Sequence, residues 1–174
     1  MIRTHKLGLV GVVEAKLRLE NVEKTCFLAQ WSYAHNGFPG RVARILVGWD
    51  SQLLLLQVDV IHTSSQLLLT KVTTVDTRVF YASWVYGNNL IGDRRSLWGE
   101  MISLASSIGT TPWIQLGDFN VVRWRSERFV GFDVGAASEF NACLIVLVWM
   151  ICLPKVCGLP GQTRGVAQGI LRAS

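Results

Sequence analysis

Two carboxylates in the 174-residue sequence stand where predicted buried strands end, Glu14 after Leu7–Val13 and Asp118 after Trp113–Leu116. Ligands gather at such strand ends because the loops that follow can direct side chains into a crevice. A hard cation such as Mg²⁺ is typically held by one or two carboxylates together with phosphate and water. The two acids therefore indicate metal-assisted chemistry on a phosphate. Taken singly, each could instead cap a turn or face solvent.

A second polar group follows another predicted strand, in the sequence Tyr86-Gly87-Asn88-Asn89. A phenol and an amide in a strand-to-helix loop can hydrogen-bond a phosphate. The same residues can also form a turn, with Asn88 or Asn89 as the N-cap of the next helix. Both interpretations remain open from the residues alone.

The elements that would position these residues alternate between strands and helices. Short polar breaks between the middle strands favour antiparallel meander pairing. In the clearest amphipathic helix, Leu97, Met101 and Leu104 share one face while Arg94, Arg95 and Glu100 stay polar. The pattern predicts an α/β (α+β) sheet-rich core covered by helices. The predicted strands are 7–13, 41–49, 53–62, 67–74, 77–86 and 113–116, and the predicted helical segments are 20–30, 91–107 and 136–148.

Composition narrows the class of protein without naming a partner. Half of the residues are hydrophobic and 17% are charged, so the chain can bury a core. The net charge is +5, but the last acidic residue is Glu139, and part of the basic excess comes from the residues after it. The longest apolar run, Ala142–Leu153, is shorter than the ~20 residues of a bilayer span. We expect an intracellular protein with no signal peptide, no membrane segment and no indicated protein partner.

The motifs, in their order along the chain, resemble the endonuclease/exonuclease/phosphatase superfamily, whose fold is that of deoxyribonuclease I. Within it, the sequence looks most like the nuclease domain of plant non-LTR (LINE-like) retrotransposons. The resemblance covers roughly residues 7–150. The residues that carry it are Glu14-Ala15-Lys16, Gly48-Trp49-Asp50, Val85-Tyr86-Gly87-Asn88-Asn89, Arg94-Arg95-Ser96-Leu97-Trp98, Pro112-Trp113, Gly117-Asp118-Phe119-Asn120 and Ser138-Glu139-Phe140-Asn141-Ala142-Cys143-Leu144.

This resemblance implies a four-layer α-β-β-α sandwich and a Mg²⁺-dependent phosphodiester hydrolase that nicks DNA, acting in the nucleus. Glu14 would ligate Mg²⁺, and Asp118 would orient or deprotonate the attacking water. Asn120 would position that water or the phosphate, and Tyr86 and Asn89 would stabilise the phosphoryl oxygens. Lys16 lies two residues beyond Glu14, on the same side of an extended segment, and could meet the phosphate backbone.

The sequence also departs from the family pattern. The family has a strand and an Asn-containing loop before the segment of Glu14, and it ends with a Ser-Asp-His signature. Here His62 is the last histidine, and we interpret it as a structural or surface residue. We therefore expect a domain over 1–150 that is incomplete at both ends and an irregular, divergent tail over 151–174. Two alternatives follow: a catalytically inactive, truncated retroelement remnant, and a phosphatase of small-molecule or lipid phosphates.

Overall fold

The computed structural model describes residues 7–22, 24, 31–50, 57–127 and 130–152. These residues form a three-stranded sheet, a four-stranded sheet and helices that cover them. The strands are β1 (Leu9–Leu17), β2 (Ser32–His35), β3 (Ala43–Trp49), β4 (Gln57–Thr63), β5 (Leu67–Thr73), β6 (Val79–Tyr86) and β7 (Trp113–Asp118). The helices are α1 (Leu19–Val22), α2 (Ile91–Ile108) and α3 (Val134–Cys152), with a 3₁₀ turn at Arg125–Glu127.

The strand pairing follows the meander prediction in one sheet and departs from it in the other. Strands β4, β5 and β6 pair antiparallel in chain order, and β7 adds in parallel to β6 after the crossover through α2. Strand β3 belongs to the other sheet, where it lies between β1 and β2. Strand β2 was not predicted, because four residues are too few to show a clear alternation. Residues 53–56 of the predicted strand 53–62 and most of the predicted helix 20–30 lie outside the described residues.

The layers are held together by strands that are buried on both faces. In β5, Leu68 packs between the two sheets against Trp84 of its own sheet and Ile45 of the other. Its neighbours Leu67 and Leu69 face the helices. This two-sided burial explains why the sequence there is a continuous apolar run rather than an alternating one. The outer core joins Leu67 and Leu69 to the buried faces of α2 and α3, and α1 covers part of the three-stranded sheet through Val22.

A salt bridge links helices α2 and α3 at their outer surface. Arg95 donates hydrogen bonds to both carboxylate oxygens of Glu139, at 2.7 Å from Nη2 to Oε1 and 3.2 Å from Nε to Oε2. Arg94, predicted to stay on the polar face, is instead buried, because its guanidinium turns back toward the loop before the helix. Among the described residues, no helix is long and apolar enough to cross a membrane.

Candidate active site

Glu14 does not end the first strand as predicted; it lies in a bulge within β1. Val13 pairs with Ile45 and Leu17 pairs with Ala43, so the three residues 14–16 stand opposite Arg44 alone. The backbone accommodates the extra residues by left-handed conformations, with φ of 58° at Glu14 and 50° at Lys16. Non-glycine residues adopt such angles at a cost, and such strain is concentrated at functional sites.

The bulge gathers charged groups around the Glu14 carboxylate. Lys16 Nζ lies 2.6 Å from Glu14 Oε1, and the Tyr86 hydroxyl is close enough to lower the pKa of Glu14 as well. The Lys16 ammonium, followed by the Tyr86 hydroxyl and the Arg44 charge, holds the pKa of Glu14 below its usual value. Reciprocally, Glu14 raises the pKa of Lys16. Half of the Glu14 side chain remains exposed, so the carboxylate stays accessible to a ligand.

Asp118 lies where predicted, at the end of β7, and strand pairing brings it beside Tyr86. These two residues are register partners in the parallel β6–β7 pair, so their side chains start from the same face of the sheet. Gly117 before it has φ of 136°, and a Cβ there would lie 2.0 Å from the Val85 carbonyl oxygen. Only glycine fits this position, which fixes the direction in which the chain leaves the strand.

Asn120 fastens the two polar loops together. Its backbone N–H donates to Asp118 Oδ1 at 2.8 Å, which is the turn cap considered from the sequence, and its φ is 52°. Its side-chain Nδ2 donates to the Gly87 carbonyl at 2.6 Å, and the Gly87 N–H donates to the Asp118 carbonyl at 2.8 Å. The turn cap uses Oδ1 of Asp118, while the exposed side chain keeps a second oxygen for a ligand.

Two buried polar side chains that sequence reasoning missed hold the loop of Asn88 and Asn89. Gln66, 2% exposed, accepts a hydrogen bond from the Asn88 N–H at 2.7 Å. Arg94, 4% exposed, donates to the Asn88 and Asn89 carbonyls at 2.7 and 2.8 Å. The N-cap of α2 is Leu90, which makes no side-chain cap, so the alternative in which Asn88 or Asn89 is the N-cap does not apply. The Asn89 side chain is left exposed beside the site.

An aromatic cluster beneath the site joins three of the sequence motifs. Phe119 stacks on Trp98 at 6.4 Å between ring centroids and lies 5.1 Å from Phe140, while Trp98 and Phe140 are 4.9 Å apart. Residues from β7's end, α2 and α3 therefore form one support under Asp118.

The structure thus brings Glu14 and Lys16 into direct contact and places Tyr86 near Glu14, with Asp118 in register beside Tyr86. Lys16 is committed to Glu14 rather than free for a substrate. Arg44 also belongs to this site: its guanidinium lies 5.4 Å from the centre of the Tyr86 ring. The register of β1 against β3 was needed to find it, since nothing in the sequence marks it.

The donor set suits a hard cation that also uses water and substrate. Among the described residues, no group of three His, Cys, Asp or Glu side chains is close enough to hold a metal alone. Glu14 nevertheless offers an ionised, half-exposed carboxylate, and Mg²⁺ commonly takes one or two carboxylates and completes its shell with water and phosphate. His62 lies elsewhere, paired with Glu100 of α2, which fits the predicted structural role.

No family model matches the sequence, and no curated protein sequence matches it either. Solved structures do match the fold. The endonuclease domain of TRAS1, a telomere-specific non-LTR retrotransposon, superposes with a TM-score of 0.63 at 14% identity over 84% of this chain and 61% of that domain. The chain therefore has the two-sheet sandwich fold of that domain. A truncated TDP2 from Caenorhabditis elegans shares this sandwich, with a TM-score of 0.51 at 12% identity over 77% of this chain and 56% of that one.

The predicted fold class is therefore confirmed: two stacked sheets with helices, as in both of these sandwich structures. At such low identity the likeness concerns the fold and does not carry over an activity. The chain spans about three fifths of the length of these two structures.

Proposed function

We propose that this chain is a Mg²⁺-dependent phosphodiester hydrolase that nicks DNA. The observation that carries the proposal is the position of Tyr86. Its ring lies 5.4 Å from the guanidinium of Arg44, which stands opposite the Glu14 bulge in one sheet, while its backbone stands in register with Asp118 in the other. One carboxylate from each sheet, Glu14 and Asp118, thereby belongs to the surroundings of Tyr86. Left-handed backbone at Glu14, Lys16 and Asn120 marks the same place.

The chemistry of phosphodiester hydrolysis suits these groups. A water oxygen adds to phosphorus, one P–O ester bond breaks, and the departing oxygen takes up a proton. Negative charge grows on the non-bridging and leaving oxygens, so preorganised donors lower the barrier. A bound Mg²⁺, held by Glu14, would supply charge neutralisation at these oxygens.

Each residue of the chain then has a defined task. The Asp118 carboxylate orients the attacking water and accepts its proton, aided by the turn that Asn120 closes. The Tyr86 hydroxyl and the exposed Asn89 amide donate to phosphoryl oxygens. Lys16 first neutralises Glu14 and becomes available to the phosphate backbone when a cation takes its place.

DNA as the partner and the nucleus as the place of action belong to this proposal, as does a specific relation to plant LINE-like nucleases. The TRAS1 domain, which shares the fold, is an endonuclease, and this supports a nucleic-acid substrate here without assigning one. A truncated, inactive remnant remains the first alternative and a small-molecule or lipid phosphatase the second. Neither is favoured by a specific contact in the structure.

Plasmid nicking separates these possibilities. The purified chain is incubated with supercoiled plasmid and Mg²⁺, in parallel with Asp118→Asn, Glu14→Gln and a control, Asp59→Asn. Asp59 lies on β4, at the edge of the four-stranded sheet opposite to β7, which carries Asp118. Asp59→Asn should therefore leave nicking unchanged. We expect both site variants to lose activity by at least about a hundredfold.

Cleavage that persists unchanged in Asp118→Asn would show a contaminating nuclease and overturn the proposal. A folded wild-type chain that never nicks DNA would favour the inactive remnant. Release of inorganic phosphate from a monoester, without nicking, would favour the phosphatase.

A further inference from the structure

Two clefts meet at the loop between β2 and β3, next to the candidate active site. The first, about 480 Å³, is lined by Arg44 and Asn88, which border the site, and by Arg41. The second, about 590 Å³, is lined by Arg18 and shares Gly40, Arg41 and Val42 with the first. The two clefts share one groove wall, which carries Arg41.

The groove wall is a preformed turn. The Arg41 N–H donates to the Phe38 carbonyl at 2.8 Å, which closes a four-residue turn over Pro39 and Gly40. Proline at its second position and glycine with φ of 79° at its third are the signature of a type II turn. The turn presents Arg41 toward the clefts, and the Phe38 side chain next to it is 48% exposed.

A buried amide anchors this turn to the neighbouring strands. Asn36 donates from Nδ2 to the Ser64 and Ser65 carbonyls at 3.1 Å, and its Oδ1 accepts from the N–H groups of Arg44 and Ile45. All of these bonds are internal, so Asn36 builds the wall rather than binding a ligand. Because folding has already ordered this surface, a ligand that binds it loses little additional conformational entropy.

Charge complementarity identifies the class of ligand. The first cleft has two arginines and no acidic residue in its lining, whereas Arg18 of the second lies 3.8 Å from Glu20. The positive potential is therefore concentrated beside the site. Arginine next to an exposed aromatic ring is the combination that binds nucleic-acid strands, through phosphate contacts and stacking.

We propose that the first cleft binds the sugar–phosphate backbone of DNA next to the cleaved bond. Arg41 contacts a flanking phosphate, Phe38 packs against the adjoining sugar or base, and Arg44 links this cleft to Tyr86. This inference rests on the proposed function, which it extends from the reacting phosphate to the strand around it.

DNA binding tests the cleft directly. Anisotropy of a labelled DNA duplex is measured in EDTA, which prevents cleavage, over a series of salt concentrations. We expect Arg41→Ala to raise Kd about tenfold and to reduce the slope of log K against log salt by about one. Arg41→Lys, which keeps the charge, should retain most of the slope, and Phe38→Ala should weaken binding about fivefold with the slope unchanged.

The matched control is Arg78→Ala. It removes the same charge from the turn before β6, about 25 Å along that strand from Tyr86. Equal salt slopes for the Arg41→Ala and Arg78→Ala proteins, both folded by circular dichroism, would overturn the cleft assignment.

The two proposals fail separately. Nicking that depends on Asp118, combined with DNA binding insensitive to Arg41, would refute the cleft and leave the activity standing. Binding that depends on Arg41 without any nicking would leave the cleft standing as a DNA-binding surface and refute the activity.

Discussion

The loop that carries Asn88 and Asn89 should depend on one buried guanidinium, and Arg94→Met tests this. Methionine keeps the apolar stem that packs in α2 but removes the group that donates to both carbonyls, at 2.7 and 2.8 Å. Charged hydrogen bonds contribute about 1.5–3 kcal/mol each, and water can replace part of this at the exposed loop. We expect the free energy of unfolding to fall by about 2–3 kcal/mol.

The next residue provides the control. Arg95 has the same side chain on the same helical turn and makes a two-pronged contact with Glu139, but its side chain is two-thirds exposed. Exposed ion pairs contribute little to stability because solvent screens them and both side chains must be ordered. Arg95→Met should therefore shift unfolding by less than about a third of the change in Arg94→Met.

Equilibrium urea unfolding measures both variants. With a denaturant slope of about 2–3 kcal/mol per molar, Arg94→Met should lower the midpoint by about 1 M. Hydrogen exchange should also accelerate at the Asn88 N–H, which Gln66 holds only while the loop keeps its position. Equal midpoint shifts in the two variants, or unchanged exchange at Asn88, would refute the proposal that Arg94 holds this loop in place.

Three further outcomes are expected. Lys16→Met should raise the pKa of Glu14 toward its ordinary value, because the ammonium is the main cause of its depression; carboxyl NMR titration checks this, and an unmoved pKa would contradict it. Gly117→Ala should lower the free energy of unfolding, measured in urea, by about 3 kcal/mol or more. Gly99→Ala, which has open space around it in α2, should raise that free energy by up to about 1 kcal/mol. The reverse order would refute the steric argument. Burial raises the pKa of Cys143 to about 11, so peptide mapping should find its alkylation near neutral pH negligible until the protein unfolds, and rapid native labelling would contradict this.

Local patterns predicted most of the elements but not the bulge in β1. The helix over 91–107 and the strands ending at Tyr86 and Asp118 follow from periodicity and from Gly and Pro breaks, which act over a few residues. The bulge at Glu14 could not be predicted in this way, since it arises from the register of β1 against β3. For the same reason Arg44, opposite the bulge, was not recognised as part of the site.

The sequence by itself determined the residue types of the site and, for Tyr86 and Asp118, their attachment to strand ends. These are polar residues next to apolar runs; Asp118 is exposed there, whereas Tyr86 is buried. Only the tertiary structure decided their partners. Asn120 bonds Gly87 because the pairing of β6 with β7 brings the two distant residues together, and Lys16 meets Glu14 because the register of β1 against β3 forces a bulge with left-handed backbone at both residues. These long-range contacts depend on the whole fold, so no short stretch of sequence encodes them.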